Sequence, residues 1–226
     1  MVEPSNASNS KPVFATAADP ARAVPHVDSS GLHGPAFIRL LVLSLISIGG
    51  LAWDLWSKHQ VFATLGCPGV LPGPGVQPVW KGQVLGIAIQ FQFETTFNHG
   101  ALWGMGQGQT WFFATLSFVA VGVIAYFVWS GQVTVSKWLT VATGLLLAGT
   151  LGNLFDRLGL HGCMDINGQA IYAVRDFLDF WFFGTFHWAT FNFADMYLVV
   201  GAIMLVVHSF FVPSVESNAA ATSPPP

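Results

Sequence analysis

Charged side chains are scarce in this 226-residue chain: Asp, Glu, Lys and Arg make up 8% of it, against about 25% in ordinary soluble domains. The Lys and Arg residues form no basic run and the formal net charge is −3, which argues against a nucleic-acid-binding protein. Cysteine is also rare. Cys67 and Cys163 belong to no CxxC or Cys/His pair, which argues against a cysteine-based zinc site.

Long apolar runs dominate the remaining sequence, which is 53% hydrophobic and contains 20 Phe and 9 Trp. Four runs are long enough to cross roughly 30 Å of hydrocarbon: 36–55, 110–129, 138–155 and 193–212. The composition therefore indicates an all-α integral membrane protein with four transmembrane helices in one domain, residues 36–212. The polar ends, residues 1–35 and 213–226, are rich in Ser, Ala and Pro and are predicted to be disordered. Residues 1–35 are too long and polar for a cleavable signal peptide.

The polar residues of the membrane domain fall at matching ends of these four runs. They lie at the end of the first, before the second, at the end of the third and at the start of the fourth. They are Asp54, Lys58, Asn98, Asn153, Asp156, Arg157, Asn192 and Asp195. Antiparallel spans place all these ends on one side of the membrane, so we expect a single site there. An acid near hydrocarbon is costly unless paired or wet, which marks Asp195 as a functional candidate.

The distribution of basic residues bears on which side of the membrane the site faces. The basic residues before the first run, at its start, and between the second and third runs are Lys11, Arg22, Arg39 and Lys137; those on the other side are Lys58, Lys81, Arg157 and Arg175. This balance leaves the positive-inside rule undecided. If Lys58 and Arg157 belong to the site, the termini are cytoplasmic and the site faces the exoplasm.

Two connections on the site side are longer than simple loops. Residues 83–97 alternate apolar and polar side chains in places, which predicts one or two β-strands at the membrane interface. The Gly- and Pro-rich residues 66–78 before them predict a loop without regular structure. Residues 158–192 are rich in aromatic side chains and are predicted to form an amphipathic, re-entrant interfacial segment.

Five stretches together resemble a known family, the bacterial lipoprotein signal peptidases or signal peptidases II. They are WDLWSKH (53–59), FNHGALWG (97–104), GTLGNLFDR (149–157), VRDFLDF (174–180) and FNFADMYLVVG (191–201). Their order and their placement on the four spans agree with the family, and the resemblance covers about residues 36–212.

The resemblance implies an aspartic endopeptidase of the bacterial inner membrane, with an exoplasmic β-sheet cradle under its substrate. Such an enzyme removes signal peptides from diacylglyceryl-modified prolipoproteins before the lipidated cysteine, with two aspartates and neither a metal nor a cofactor. The catalytic pair would be Asp176 and Asp195. The supporting residues would be Asp54, Lys58, Asn98, Gly100, Asn153, Asp156, Arg157 and Asn192. We expect a monomer whose partners are membrane lipids and the lipidated precursor, with no nucleic acid.

Two close carboxylates suit this chemistry because they share one proton, so that one acts as base and the other as acid. Asp156 is the alternative member of the pair, although ion pairs through which Asp156 and Arg157 lock the end of the third span would make it a structural anchor. Asp54 and Lys58, four residues apart, would alternatively be a simple helix-end ion pair. Asn98 would alternatively only cap the second span.

Several residues admit a second interpretation. Arg175 either depresses the pKa of Asp176 beside it or points toward lipid headgroups. Asp179 would orient the loop or the peptide, and Asp165 would be a solvated loop acid. Cys67 and Cys163 are either unpaired or joined in a disulfide. The histidines at 59, 99, 161, 187 and 208 match no metal-ligand spacing in the sequence.

Two other functions compete with the peptidase. A proton-coupled transporter would carry acids near mid-span on both halves of the membrane, whereas the acids here cluster at one end. A non-catalytic relative that keeps the fold would be expected to have lost Asp176 or Asp195, and both are present.

Overall fold

A computed structural model of the protein describes residues 34–68, 75–100 and 109–211. Four long helices and one antiparallel sheet account for most of them. In chain order the elements are α1 (Gly34–Leu65), β1 (Val76–Val84), β2 (Ile87–Asn98), α2 (Thr110–Trp129), a 3₁₀ turn (Gln132–Val135), α3 (Lys137–Arg157), β3 (Val174–Phe182), β4 (Phe186–Phe191) and α4 (Phe193–Phe211). The predicted tails lie outside the described residues, except for residues 34 and 35, with which α1 begins.

All four helices are long and apolar enough to cross a membrane, as predicted. The bounds of α2 match the prediction, and those of α3 and α4 differ from it by one or two residues. The first span was predicted too short, because α1 continues past residue 55 to Leu65. No Gly or Pro occurs between residue 55 and Gly66, and Gly66 ends the helix with a positive φ of 88°. Asp54 and Lys58 therefore lie within the helix rather than at its end.

The four strands form one sheet in the order β1-β2-β3-β4, with every neighbouring pair antiparallel. Leu85 and Gly86 join β1 to β2, and both have positive φ, 51° and 80°. A two-residue turn with this backbone matches the twist of a hairpin. The predicted strand segment 83–97 thus supplies β2 and the end of β1.

The sheet is larger than the sequence predicted, and two interpretations were wrong. Residues 76–78, assigned to an irregular loop, begin β1. Residues 174–191, assigned to an interfacial re-entrant segment, form β3 and β4. The aromatic side chains of this segment pair across strands: the rings of Phe91 and Phe180 stack with centroids 4.7 Å apart, a packing that favours strands.

Small residues bring the spans close together around α3, which contacts α1, α2 and α4. Gly149 packs against the backbone of Ala194 at the start of α4. At Gly152 a Cβ atom would lie 2.5 Å from Asp54 Oδ2, so only glycine admits the Asp54 carboxylate against α3. The third span is consequently the most buried of the four, and its carboxyl end lies beside the first turn of α4.

Cys67 and Cys163 form a disulfide, with their Cα atoms 6.4 Å apart, so the paired interpretation is confirmed. The bond links the segment after α1 to the loop between α3 and β3. Both cysteines pack against the aromatic cluster of Phe62 and Phe177. The disulfide therefore fixes the loop that leads into β3.

Reduction of this disulfide is expected to destabilise the protein. A native disulfide contributes about 2–4 kcal/mol, and each kcal/mol changes Tm by about 2–4 °C in a chain of this size. The measurement is a thermal unfolding curve in detergent with and without reductant, together with a thiol count. The Cys67→Ser/Cys163→Ser variant should not respond to reductant. Two free thiols in the untreated protein would contradict the pairing.

Candidate functional site

The side chains predicted to form one site do meet, at the end of the helices beside the sheet. Five elements contribute them: α1 Asp54 and Lys58, β2 Asn98, α3 Asn153, Asp156 and Arg157, β3 Asp176, and the start of α4 Asn192 and Asp195. Contacts between these residues connect positions as far apart in sequence as Asp54 and Ala194. The site therefore depends on the packing of all these elements.

The first turn of α4 is built by a reciprocal cap. The backbone N–H of Asp195 donates to Asn192 Oδ1 at 3.0 Å, and Asp195 Oδ2 accepts from the backbone N–H of Asn192 at 3.2 Å. Such a capping box satisfies two backbone donors that a helix start leaves free. The next donor, the N–H of Ala194, is bound by Asp54 Oδ1 at 2.9 Å. The cap thus fixes the carboxylate of Asp195 in place.

Two asparagine side chains connect Asp176 with Asp195. Asn192 Nδ2 donates to Asp176 Oδ1 at 2.5 Å and to Asn153 Oδ1 at 3.2 Å. Asn153 Nδ2 in turn donates to Asp195 Oδ1 at 2.7 Å. Asp176 is buried, whereas Asp195 is half-buried. The two acids are thus held in one hydrogen-bonded network, with Asp195 the more open to water.

Burial raises the pKa of Asp176 well above its usual range, and the negative charge of Asp195 raises it further. Lys58 and the amides of Asn192 and Asn98 act in the opposite direction and lower that pKa. Because the raising causes prevail, Asp176 keeps its proton to a higher pH than an exposed aspartate does. The pair therefore favours a state in which one proton is shared.

Lys58 lies at the centre of a buried ionic network. Its Nζ is 2.7 Å from Asp54 Oδ2 and 3.1 Å from Asp156 Oδ2, and it donates to Asn153 Oδ1 at 3.2 Å. Lys58, Asp54 and Asp156 are fully buried. The alternative of a simple helix-end pair for Asp54 and Lys58 is therefore wrong: the lysine joins α1 to α3, and Asp54 joins α1 to α4.

Both carboxylate oxygens of Asp156 are occupied by cationic side chains and a backbone N–H group. Arg175 Nε and one of its terminal nitrogens donate to Asp156 Oδ1 at 3.0 and 2.8 Å, while Asp156 Oδ2 accepts from the Arg175 backbone N–H at 3.1 Å. Both interpretations of Arg175 were thus wrong: its side chain is 4% exposed and is occupied by Asp156. Asp156 does form ion pairs of the kind expected to lock the end of the third span, and among the described residues their partners are Lys58 and Arg175.

Arg157 and Asn98 lie at the edge of the site. The Arg157 guanidinium stands 5.6 Å from the ring centroid of Phe113 and interacts electrostatically with Asp195 and Asp176. Asn98 Nδ2 donates to Asp176 Oδ2 at 3.1 Å, and its Oδ1 accepts from the N–H of Gly100 at 3.0 Å. Asn98 does not cap the second span, since the N-cap of α2 is Gln109.

An apolar groove of about 580 Å³ leads to this network. The side chains along it come from β3, β4 and α4, and Asp195 stands among them. The others are Phe180, Phe182, Trp188, Phe191, Met196, Val199 and Val200. An apolar groove for acyl chains was expected from the resemblance, but the sequence did not indicate its position, because the groove exists only where the sheet meets α4.

The sequence did not reveal that Arg175 and Asp179 are buried and hydrogen-bonded to other parts of the chain. Arg175 is part of the buried network through Asp156, and Asp179 is fully buried in the sheet rather than free in a loop. Asp179 lies 2.5 Å from His187, a histidine that matched no metal-ligand spacing along the chain.

Asp165 lies in the loop before β3. It accepts hydrogen bonds from the backbone N–H groups of Asn167 and Gln169 at 2.8 Å, which closes a local turn.

Comparisons with known proteins bear on these observations. The family model described as signal peptidase (SPase) II matches residues 40–211. The lipoprotein signal peptidase of Rhodopirellula baltica is 37% identical over 182 residues, which cover 80% of this chain and 77% of that protein. The lipoprotein signal peptidase of Mycobacterium leprae is 31% identical over 191 residues, or 84% and 82% of the two chains.

A solved structure supports the fold. A bacterial membrane enzyme determined by the in meso method at 2.3 Å resolution has a TM-score of 0.54 and 22% identity, covering 81% of this chain and 93% of that one. At this identity the likeness concerns the fold alone. The family match includes every residue from Asp54 to Asp195 that meets at the site, and it confirms the resemblance found in the sequence: this chain belongs to the signal peptidase II family.

Proposed function

We propose that this protein is a membrane aspartic peptidase that removes signal peptides from diacylglyceryl-modified prolipoproteins, cleaving before the lipidated cysteine with Asp176 and Asp195. The observation that carries the proposal is the pairing of a buried and a half-buried aspartate through Asn153 and Asn192. This pair stands beside the apolar groove. A peptide bond attached to a lipid anchor would be presented to the acids from that groove.

The two aspartates differ in environment, and this difference assigns their roles. Asp176, whose pKa is raised by burial, holds the shared proton and donates it to the oxygen of the scissile carbonyl. Asp195, half-exposed, accepts a proton from the attacking water as the water oxygen bonds to the carbonyl carbon. When the C–N bond breaks, Asp195 gives its proton to the leaving amine, and Asp176 takes back the proton of one hydroxyl of the intermediate as that oxygen becomes the new carbonyl. The net reaction consumes one water molecule.

Asp156 is unsuited to the role of base in this proposal. Both its oxygens are occupied by Lys58 and Arg175, so neither is free to accept a proton from water. Its charge instead balances two buried cations, which supports Asp176 as the partner of Asp195.

The site side is proposed to be the exoplasm, with both termini in the cytoplasm of a bacterial cell whose inner membrane holds the enzyme. The Cys67–Cys163 disulfide supports this orientation, because disulfides persist in oxidising compartments. It lies on the same side as the aspartates. Lys58 and Arg157 belong to the site. Without these two, more basic residues lie on the side of the termini than on the site side, which favours cytoplasmic termini. The enzyme is proposed to act as a monomer.

The proposed function is tested by cleavage of a purified diacylglyceryl-modified prolipoprotein, followed by gel shift. The same precursor without lipid is expected to be cleaved with kcat/KM lower by about 100-fold or more, because the lipid anchor positions the peptide bond. Absence of cleavage of the lipidated precursor by folded protein would overturn the proposal. Equal cleavage of both precursors would overturn the lipid requirement.

A matched pair of substitutions on α4 tests the groove. Val199→Trp fills the groove, whereas Val206→Trp adds the same ring elsewhere on α4; the two valines are 58% and 57% exposed. We expect Val199→Trp to lower kcat/KM for the lipidated precursor by about tenfold or more, since misplacement of the scissile bond is costly. Val206→Trp should leave it unchanged. An equal response of the two variants would contradict binding in the groove.

The pH dependence of cleavage follows from the raised pKa of Asp176. The acid is active while protonated, so activity is present below this pKa and is lost as pH rises through it. The Asn98 amide lowers this pKa by bonding the ionised form. Asn98→Ala should therefore move the alkaline limb of kcat to higher pH, as measured by pH–rate profiles of the two enzymes. Asn167→Ala, outside the site, should not move it, and an alkaline limb shifted to lower pH would contradict the role of Asp176.

A further inference from the structure

The sheet has one face that the proposed reaction does not use. Gln90, Gln92 and Glu94 alternate along β2, and the register places Gln92 opposite Asp179 and Gln90 opposite Trp181. Trp181 is in turn opposite His187 on β4. Paired residues of antiparallel strands share a face, so these polar side chains lie together. Phe91 and Phe180 pair on the other face, the one that lines the groove.

Asp179 is the centre of this polar face, and its two oxygens differ. Oδ2 accepts from Gln92 Nε2 at 2.7 Å and from Trp181 Nε1 at 2.9 Å. Gln90 Nε2 donates to Gln92 Oε1 at 2.7 Å and so orients the Gln92 amide. Oδ1 instead faces His187 Nε2 at 2.5 Å and Thr190 Oγ1 at 3.4 Å. One oxygen is thus fixed by donors while the other is directed at an imidazole.

Glu94 completes a group of three metal-ligating side chains. One ligand atom from each of Glu94, Asp179 and His187 lies within 4.8 Å of the other two. Gln92 Nε2 also approaches Glu94 Oε2 at 3.4 Å, so a single amide holds both carboxylates. Burial raises the pKa of Glu94, and the charge of Asp179 raises it further. Within the described part of the chain neither acid forms an ion pair with Lys or Arg.

We propose that Glu94, Asp179 and His187 bind one divalent transition-metal ion, with Zn²⁺ as the best-fitting ion, in a structural site separate from the aspartate pair. One imidazole nitrogen and two carboxylate oxygens form a ligand set that Zn²⁺ accepts. Gln92 and Trp181 act as the outer partners that hold a ligating carboxylate in place. The Trp181 ring also stacks on the His187 ring, with centroids 4.5 Å apart, and limits the orientations of the imidazole.

Metal binding replaces the hydrogen bond between His187 and Asp179. Bonds of about 2.0–2.1 Å to one tetrahedral ion hold ligand atoms roughly 3 Å or more apart, whereas His187 Nε2 and Asp179 Oδ1 are 2.5 Å apart. His187 is the group that moves, because its side chain is 40% exposed while that of Asp179 is fully buried. His187 binds the ion through Nε2 in the tautomer that carries its proton on Nδ1, since a metal-ligating nitrogen must be free of its proton. The bound ion joins β2, β3 and β4.

The test is a metal titration of the full-length protein in detergent. Protein stripped with a chelator is equilibrated with ZnCl₂, desalted, and analysed for bound zinc by mass spectrometry. We expect one tightly held Zn²⁺ per chain. His187→Ala and Glu94→Gln should each weaken binding by about tenfold or more. His59→Ala, at an exposed histidine outside the group, should bind as the unaltered protein does.

If His187→Ala and Glu94→Gln bind zinc as tightly as the unaltered protein does, the ion is held elsewhere and the proposal is overturned. The proposal is also overturned if the unaltered protein retains no zinc. Both substitutions involve side chains that are not fully buried, and circular dichroism verifies that each variant is folded before titration. The readout is bound metal, so it is independent of precursor cleavage. Failure of the zinc site would leave the proposed peptidase activity untouched, and the converse also holds.

Discussion

Asp176→Asn and Asp195→Asn are each expected to lower kcat by about 10³-fold or more, with each protein still folded. Each substitution keeps the shape of the side chain but removes its ability to give or take a proton, and general acid–base groups contribute about 10²–10⁴-fold to rate. Because the two acids share one proton, neither replaces the other. The measurement is the cleavage rate of lipidated precursor at saturating concentration, by gel shift.

Two further aspartates serve as controls for this experiment. Asp165→Asn changes an acid that closes a local turn, and it should retain full kcat. Asp156→Asn removes a charge bound by Lys58 and Arg175, so its main effect should be a loss of stability. Its activity should fall only to the extent that less of the protein is folded. If Asp176→Asn still cleaves while a folded Asp156→Asn does not, the catalytic pair is Asp156 with Asp195.

Lys58→Met is expected to destabilise the protein by about 3–5 kcal/mol, the usual effect of removing one member of a buried ion pair. It leaves Asp54 and Asp156 buried without this cation. In a chain of this size the loss lowers Tm by on the order of 10 °C. Thermal unfolding in detergent, followed by tryptophan fluorescence, measures the change.

The matched control is Lys81→Met, which removes an exposed lysine and should leave Tm nearly unchanged. A second substitution separates charge from packing. Adding Asp54→Asn to Lys58→Met removes one uncompensated carboxylate, so the double variant should recover part of the lost stability despite its second change. Equal Tm values for Lys58→Met and Lys81→Met would contradict the network, and a further fall in the double variant would show that charge balance is not its basis.

Most of the helical architecture could be predicted from the sequence. The four spans follow from apolar length, because the membrane requires about 20 apolar residues per crossing. The start of α4 follows from Asn192 and Asp195, whose spacing is that of a capping box. The convergence of the polar residues followed from the alternating direction of the four spans, which places the end of one span and the start of the next on the same side of the membrane. The errors occurred where the chain leaves the helices: the extent of α1, the start of β1 and the hairpin of β3 and β4.

The reasons for these errors are specific. Aromatic-rich residues 174–191 suit both a membrane interface and a sheet, and only pairing with β2 makes them strands. Arg175 was placed either against Asp176 or toward lipid, because its partner, Asp156, lies 19 residues earlier on α3. His187 matched no ligand spacing because Glu94 and Asp179 reach it across three strands.

The sequence by itself determined the class of protein, the number of spans, the family and the residues that gather at one end of the helices. Those properties depend on composition, periodicity and local spacing, which are written along the chain. The tertiary structure alone decided which acid is buried, which carboxylate is occupied by cations, where the apolar groove runs and how Glu94, Asp179 and His187 meet. Burial and hydrogen-bond partners are set by contacts between distant segments, and these physical quantities tune the acids.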